Sequence, residues 1–72
     1  MYKFSIENEV TTYYKESTHC VTVIVIDHEL QLCNLCIHNK YLSPGIVEDY
    51  NHAEDCTIEE WNSAFEVITS YK

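Results

Sequence analysis

The chain has no arginine, one glycine and one proline, and only four lysines stand against twelve acids among its 72 residues. Each shortage excludes something. Binding to nucleic-acid phosphates needs clustered Lys and Arg to displace counterions, and no such cluster exists, so direct DNA or RNA binding is not expected. Docking on an anionic membrane fails for the same reason. A single glycine leaves no phosphate-cradling loop and no nucleophile elbow, and no His-Glu-x-x-His pattern occurs. No apolar run approaches the ~20 residues that a membrane-spanning helix needs. The first fifteen residues carry Lys3, Glu7, Glu9 and Lys15 and lack the apolar stretch of a secretory signal. A cytoplasmic protein is expected, its four cysteines being reduced thiols or metal ligands.

What is present is enough to fold. The hydrophobic fraction is 46% and the formal net charge is −8, a composition that suits one small globular domain spanning 1–72. A chain this short buries only about 60–65% of its unfolded surface, so its core is thin.

The central element is Cys20–Ile26, Cys-Val-Thr-Val-Ile-Val-Ile, apolar on both alternating faces. Such a strand requires neighbours on both edges and cover on at least one face. Before it, Tyr2, Phe4, Ile6, Asn8, Val10, Thr12 and Tyr14 alternate with period two, which predicts one long strand. The polar Glu7-Asn8-Glu9 leaves open a bulge, or a break into two strands. Lys15-Glu16-Ser17 and Asp27-His28-Glu29 serve as turns, and Leu30–Asn39 forms a third strand. Ser43-Pro44-Gly45 allows a short helix over 44–51. Thr57-Ile58-Glu59-Glu60 is a capping box, followed by an apolar stripe at Ile58, Trp61, Ala64, Phe65, Ile68 and Tyr71. The expected fold is therefore α+β: a three-stranded antiparallel meander packed against a C-terminal α-helix, with Trp61, Phe65 and Ile68 across one sheet face.

Three constellations bear on chemistry. Cys33-x-x-Cys36 followed by His52-x-x-x-Cys56 has the ligand types of a zinc site, and a metal staple would suit a thin core. In a regular strand, however, Cys33 and Cys36 point to opposite faces, and buried thiols pack well without metal. Cys20 beside His19, or Cys33 or Cys36 with His38, supplies a thiol and an imidazole. Adjacent strand residues nevertheless diverge, and one glycine leaves little loop for a pocket, so no enzyme is expected. Finally, Glu48, Asp49, Glu54, Asp55, Glu59 and Glu60 place half of the acids in thirteen residues, with Tyr50 among them and Trp61 next. Asp55, Glu59 and Glu60 complement a helix N-terminus; the others gain nothing from it.

In size, acidity and compact α+β form the chain resembles small acidic proteins of phages and mobile elements, including anti-CRISPR inhibitors and nucleic-acid mimics. That resemblance implies an inhibitor of this kind, and the acidic segment itself leads to the expectation of a non-enzymatic protein whose negative surface docks on a basic site of a larger protein, through Glu48, Asp49, Tyr50, Glu54, Asp55 and Glu59. One alternative is a zinc-stabilised structural module held by Cys33, Cys36, His52 and Cys56. Another is a homodimeric accessory protein, pairing through an uncovered sheet face or the Tyr2–Tyr14 edge.

Overall fold

A computed structural model describes residues 1–71. It contains strands β1 (Tyr2–Glu7), β2 (Val10–Glu16), β3 (Cys20–Asp27) and β4 (Leu32–Asn39), helix α1 (Pro44–His52), the short strand β5 (Glu54–Asp55) and helix α2 (Ile58–Ser70). The sheet is antiparallel throughout, in the order β4-β3-β2-β1-β5. The α+β class and the packed C-terminal helix are as expected, but there are five strands where three were expected.

Two of the differences have local causes. The Tyr2–Tyr14 stretch is a hairpin, because Asn8 takes φ 57° and Glu7 pairs directly with Val10 across a two-residue turn. Asparagine is among the few side chains that enter the left-handed region readily. The β3–β4 connection also runs longer than Asp27-His28-Glu29. Asp27 Oδ1 accepts from the amides of Glu29 at 3.1 Å and Leu30 at 3.0 Å, and Gln31 takes φ 53°. An aspartate turn thus does the work of a glycine, and β4 starts at Leu32.

β3 lies inside the sheet and is buried on both faces. Val21, Val23 and Val25 face α1, packing with Tyr14, Tyr50, Ala53 and Ile46. Ile24 and Ile26 face α2, packing with Trp61, Ala64, Tyr13, Cys33, Val67 and Ile68. The sheet is therefore covered by one helix on each side. Each helix carries one aromatic anchor: Tyr50 of α1 lies 6.0 Å from Tyr14, and Trp61 of α2 lies 6.0 Å from Tyr2, centroid to centroid.

The capping box forms: the Glu60 amide donates to Thr57 Oγ1 at 3.1 Å, and the Thr57 amide donates to Glu60 Oε1 at 3.2 Å. Ser43 precedes Pro44 but makes no side-chain cap. Phe65 is not a core residue; it is 49% exposed, while Val67 packs on the core in its place. Positions 61, 64, 68 and 71 follow the helical stripe, and Phe65 lies to one side of it. Among the described residues, no helix is long and apolar enough to cross a membrane.

Ile24 has no exposed surface and contacts both neighbouring strands and α2. Ile24→Ala is expected to cost about 2–5 kcal/mol, a large share of the roughly 4–10 kcal/mol available to a domain of this size. Urea denaturation followed by Trp61 fluorescence measures it.

Candidate functional site

The chain passes from one face of the sheet to the other by way of its β5 edge. α1 ends at His52, β5 pairs with β1 (Lys3↔Asp55, Phe4↔Glu54), and α2 then begins at Ile58 on the opposite face. This path carries the acidic segment as a belt from α1, past the β5 edge, onto α2. Glu48 and Asp49 are exposed on α1, Glu54 and Asp55 on β5, and Glu59 on the first turn of α2.

Lys3 is the cation lying within this belt, and it is engaged. Its ammonium is 3.5 Å from Asp55 Oδ1, 3.5 Å from the Ala53 carbonyl and 5.7 Å from the Tyr50 ring centroid. It ties β1 to β5 and to the end of α1. Because Asp55 is largely exposed, the pair itself adds little stability.

Tyr50 departs from the sequence expectation. It is 2% exposed and is a core residue rather than a surface contact. Its hydroxyl donates to Glu16 Oε1 at 3.1 Å, while Lys40 donates to Glu16 Oε2 at 2.7 Å. The three residues join the end of β2, the segment after β4, and α1. Lys40 first, and then Tyr50, hold the Glu16 carboxyl below its ordinary range. Burial first, then the Glu16 hydrogen bond, push the Tyr50 phenol from 10.0 up to about 12.

Beside α1 lies an open groove of about 580 Å³, lined by Ser5, Glu7, Val10, Thr12 and Tyr14 from the sheet and by Asp49, His52 and Ala53 from the helix side. Glu7, Ser5 and Thr12 were not among the expected site residues. The hairpin brings them onto one face: across a two-residue turn, Ser5 pairs with Thr12 and Glu7 with Val10. In one continuous strand, 5 and 7 would face away from 10 and 12. The asparagine at position 8 is the sequence signal for that turn. Burial pushes the Tyr14 phenol up, and the charge of Asp49 adds to that rise. Two carboxylates, an imidazole and hydroxyls with no lining cation suit a guanidinium or ammonium group.

The other expected constellations are dispersed. Cys33 lies opposite Ile26 and packs on the α2 side, whereas Cys36 lies opposite Val23 on the α1 side. Both are on β4, at the far edge of the sheet from β5, which Cys56 follows. Five strands at ~4.8 Å spacing put about 19 Å between those edges, too far for one ion. Among the described residues, no three His, Cys, Asp or Glu side chains cluster closely enough to hold a metal. The Cys33 thiol is pushed up by burial, and that of Cys56 by burial and by Glu60 and Asp55, so neither is an activated thiolate. His28, in the turn after β3, shares a hydrogen bond at 3.0 Å between its Nε2 and Oγ1 of the buried Thr11.

No protein-family model matches the chain, and no curated protein and no solved structure matches it.

The Glu16–Tyr50 pair predicts how stability depends on pH. A depressed carboxyl stabilises the fold above its unfolded value, near 4.5, and that contribution is lost as pH falls through the folded value. A raised phenol acts at the other end, its contribution complete below pH 10.0 and lost as pH rises toward about 12. Urea midpoints across pH should fall at both extremes. Glu16→Gln should shallow the acid limb. Tyr50→Phe should shallow the alkaline limb, leaving the part due to Tyr13 and Tyr14, whose phenols burial also raises.

Proposed function

We propose that the chain is a non-enzymatic binding protein, of inhibitor type, that docks its β5 edge and the adjoining groove on a basic site of a larger protein. One observation supports this: the α1–β5–α2 path leaves Glu48 and Asp49 exposed on α1, Glu54 and Asp55 on the edge strand and Glu59 on α2, and Lys3 beside β5 is already engaged. Like charges gathered this densely repel one another and weaken the fold, a cost that a cationic partner would offset. The groove adds shape to the charge. Glu7, Asp49 and His52 offer acceptors to an arginine or lysine inserted beside Tyr14. Steering by a net charge of −8 would speed encounter with a basic surface and make binding fall with salt.

A deca-arginine peptide titrated into the labelled protein at low salt, followed by amide NMR shifts, tests the location. The largest shifts are expected at Glu7, Asp49, His52, Glu54 and Asp55. Reversing Glu48 and Glu54 to lysine should weaken binding about tenfold more than reversing Glu29 and Glu66, which changes the charge equally. Equal loss from both pairs, with shifts spread over all acids, would mean that net charge alone attracts the peptide and would defeat the proposal.

A further inference from the structure

The two edges of the sheet are built differently. β5 is two residues long and both are acids, a short charged edge of the kind that resists pairing. β4 has none of those protections. It runs eight residues, Leu-Cys-Asn-Leu-Cys-Ile-His-Asn, without Lys, Arg, Asp, Glu or Pro. Its register with β3 is unbroken from Cys20↔Asn39 to Asp27↔Leu32, so no bulge turns it away. Leu32, Leu35 and Ile37 are 58%, 40% and 69% exposed.

The backbone directions follow from one bond. The Lys40 amide donates to the His19 carbonyl at 2.9 Å, in step with the β3–β4 register. Alternate residues of an antiparallel strand address the same neighbour. His38, Cys36, Asn34 and Leu32 therefore turn their backbone groups toward β3, while Cys33, Leu35, Ile37 and Asn39 turn theirs outward. The Asn39 carbonyl already accepts from Leu42 and Ser43. Three outward positions remain, evenly spaced about Leu35.

We propose that β4 pairs antiparallel with β4 of a second copy about a two-fold axis at Leu35, joining the two sheets into one. Cys33 then lies opposite Ile37 of the second copy, and Leu35 opposite its own equivalent. The junction gains about six backbone hydrogen bonds, and its apolar side chains continue the α2-facing side of each sheet. The occupant is a second copy for two reasons. The outward groups are symmetric about Leu35 and so complement themselves. Two chains of charge −8 repel, and β4 carries no formal charge whereas the opposite edge strand, β5, consists of Glu54 and Asp55. This is the edge at which two copies meet with least repulsion. A single strand junction buries less than the roughly 1,200 Å² of a standard interface, so association is expected in the micromolar range or weaker. The inference is independent of the role of the acidic edge.

Sedimentation velocity of the full chain from about 10 μM to about 1 mM tests it. A dimer fraction that rises with concentration is expected, and added salt should increase it by screening repulsion, opposite to its effect on acidic docking. Ile37→Lys should weaken the dimer at least about tenfold, with the near-ultraviolet signal of Trp61 unchanged. Leu35→Pro should do the same, because the amide it removes points outward and the β3 ladder is kept. Asn34→Cys sets a thiol opposite Cys36 of the second copy, on a non-hydrogen-bonded pair with Cα atoms about 4.5 Å apart. Mild oxidation of that variant should give a reducible covalent dimer even if the other substitutions disturb folding. A monomer at every concentration, a dimer that dissociates with salt, or one that survives both β4 substitutions while Asn34→Cys fails to cross-link would overturn the proposal.

Discussion

β3 must be covered on both faces, and the rest of the structure depends on that requirement. Val21 and Val23 point one way and Ile24 and Ile26 the other, all nearly or wholly removed from water. One helix could cover only one side. The chain therefore supplies two, from a C-terminal segment of fewer than thirty residues, and it must carry the backbone around a sheet edge between them. β5 is the result of that crossing. Its pairing with β1 satisfies backbone groups that the crossing would otherwise expose.

The crossing also decides where the charge goes. Residues between two helices on opposite faces lie at the perimeter, where acids remain hydrated, and Glu54 and Asp55 lie there, with exposed acids of α1 and α2 on either side. α1 covers its side of the sheet only in part, anchored by Tyr50 over Tyr14, Val21 and Val23. The groove over β1 and β2 is the space this leaves. The fold, the acidic belt and the groove therefore share one cause. The opposite edge is uncharged and unguarded, giving the molecule two edges of contrasting chemistry.

Glu16, Lys40 and Tyr50 form the polar counterpart of the apolar core. A carboxylate at the end of β2 accepts from a lysine beyond β4 and from a phenol on α1, joining three segments distant in sequence. The hydrogen bond satisfies the Tyr50 hydroxyl, whose ring would otherwise bring an unpaired polar atom into the interior. This lets a tyrosine within an acidic run serve as a core anchor.

Periodicity and capping chemistry in the sequence were sufficient for the central strand, the C-terminal helix with its Thr57–Glu60 box, and the α+β class, because each rests on residues adjacent in the chain. The acidic run was equally legible as composition. Tyr50 and Phe65 were misassigned because a helical stripe does not say which aromatic reaches a partner. That depends on where the helix crosses the sheet. The N-terminal hairpin turned on a single backbone angle at Asn8, and with it the face on which Ser5 and Glu7 meet Thr12 and Val10. The cysteine spacing pointed to a common centre, but strand order placed its members at opposite edges of the sheet. Local pattern determined which elements form; tertiary structure alone decided which residues meet, because strand order and the handling of both faces are set by long-range burial that no short window of sequence contains.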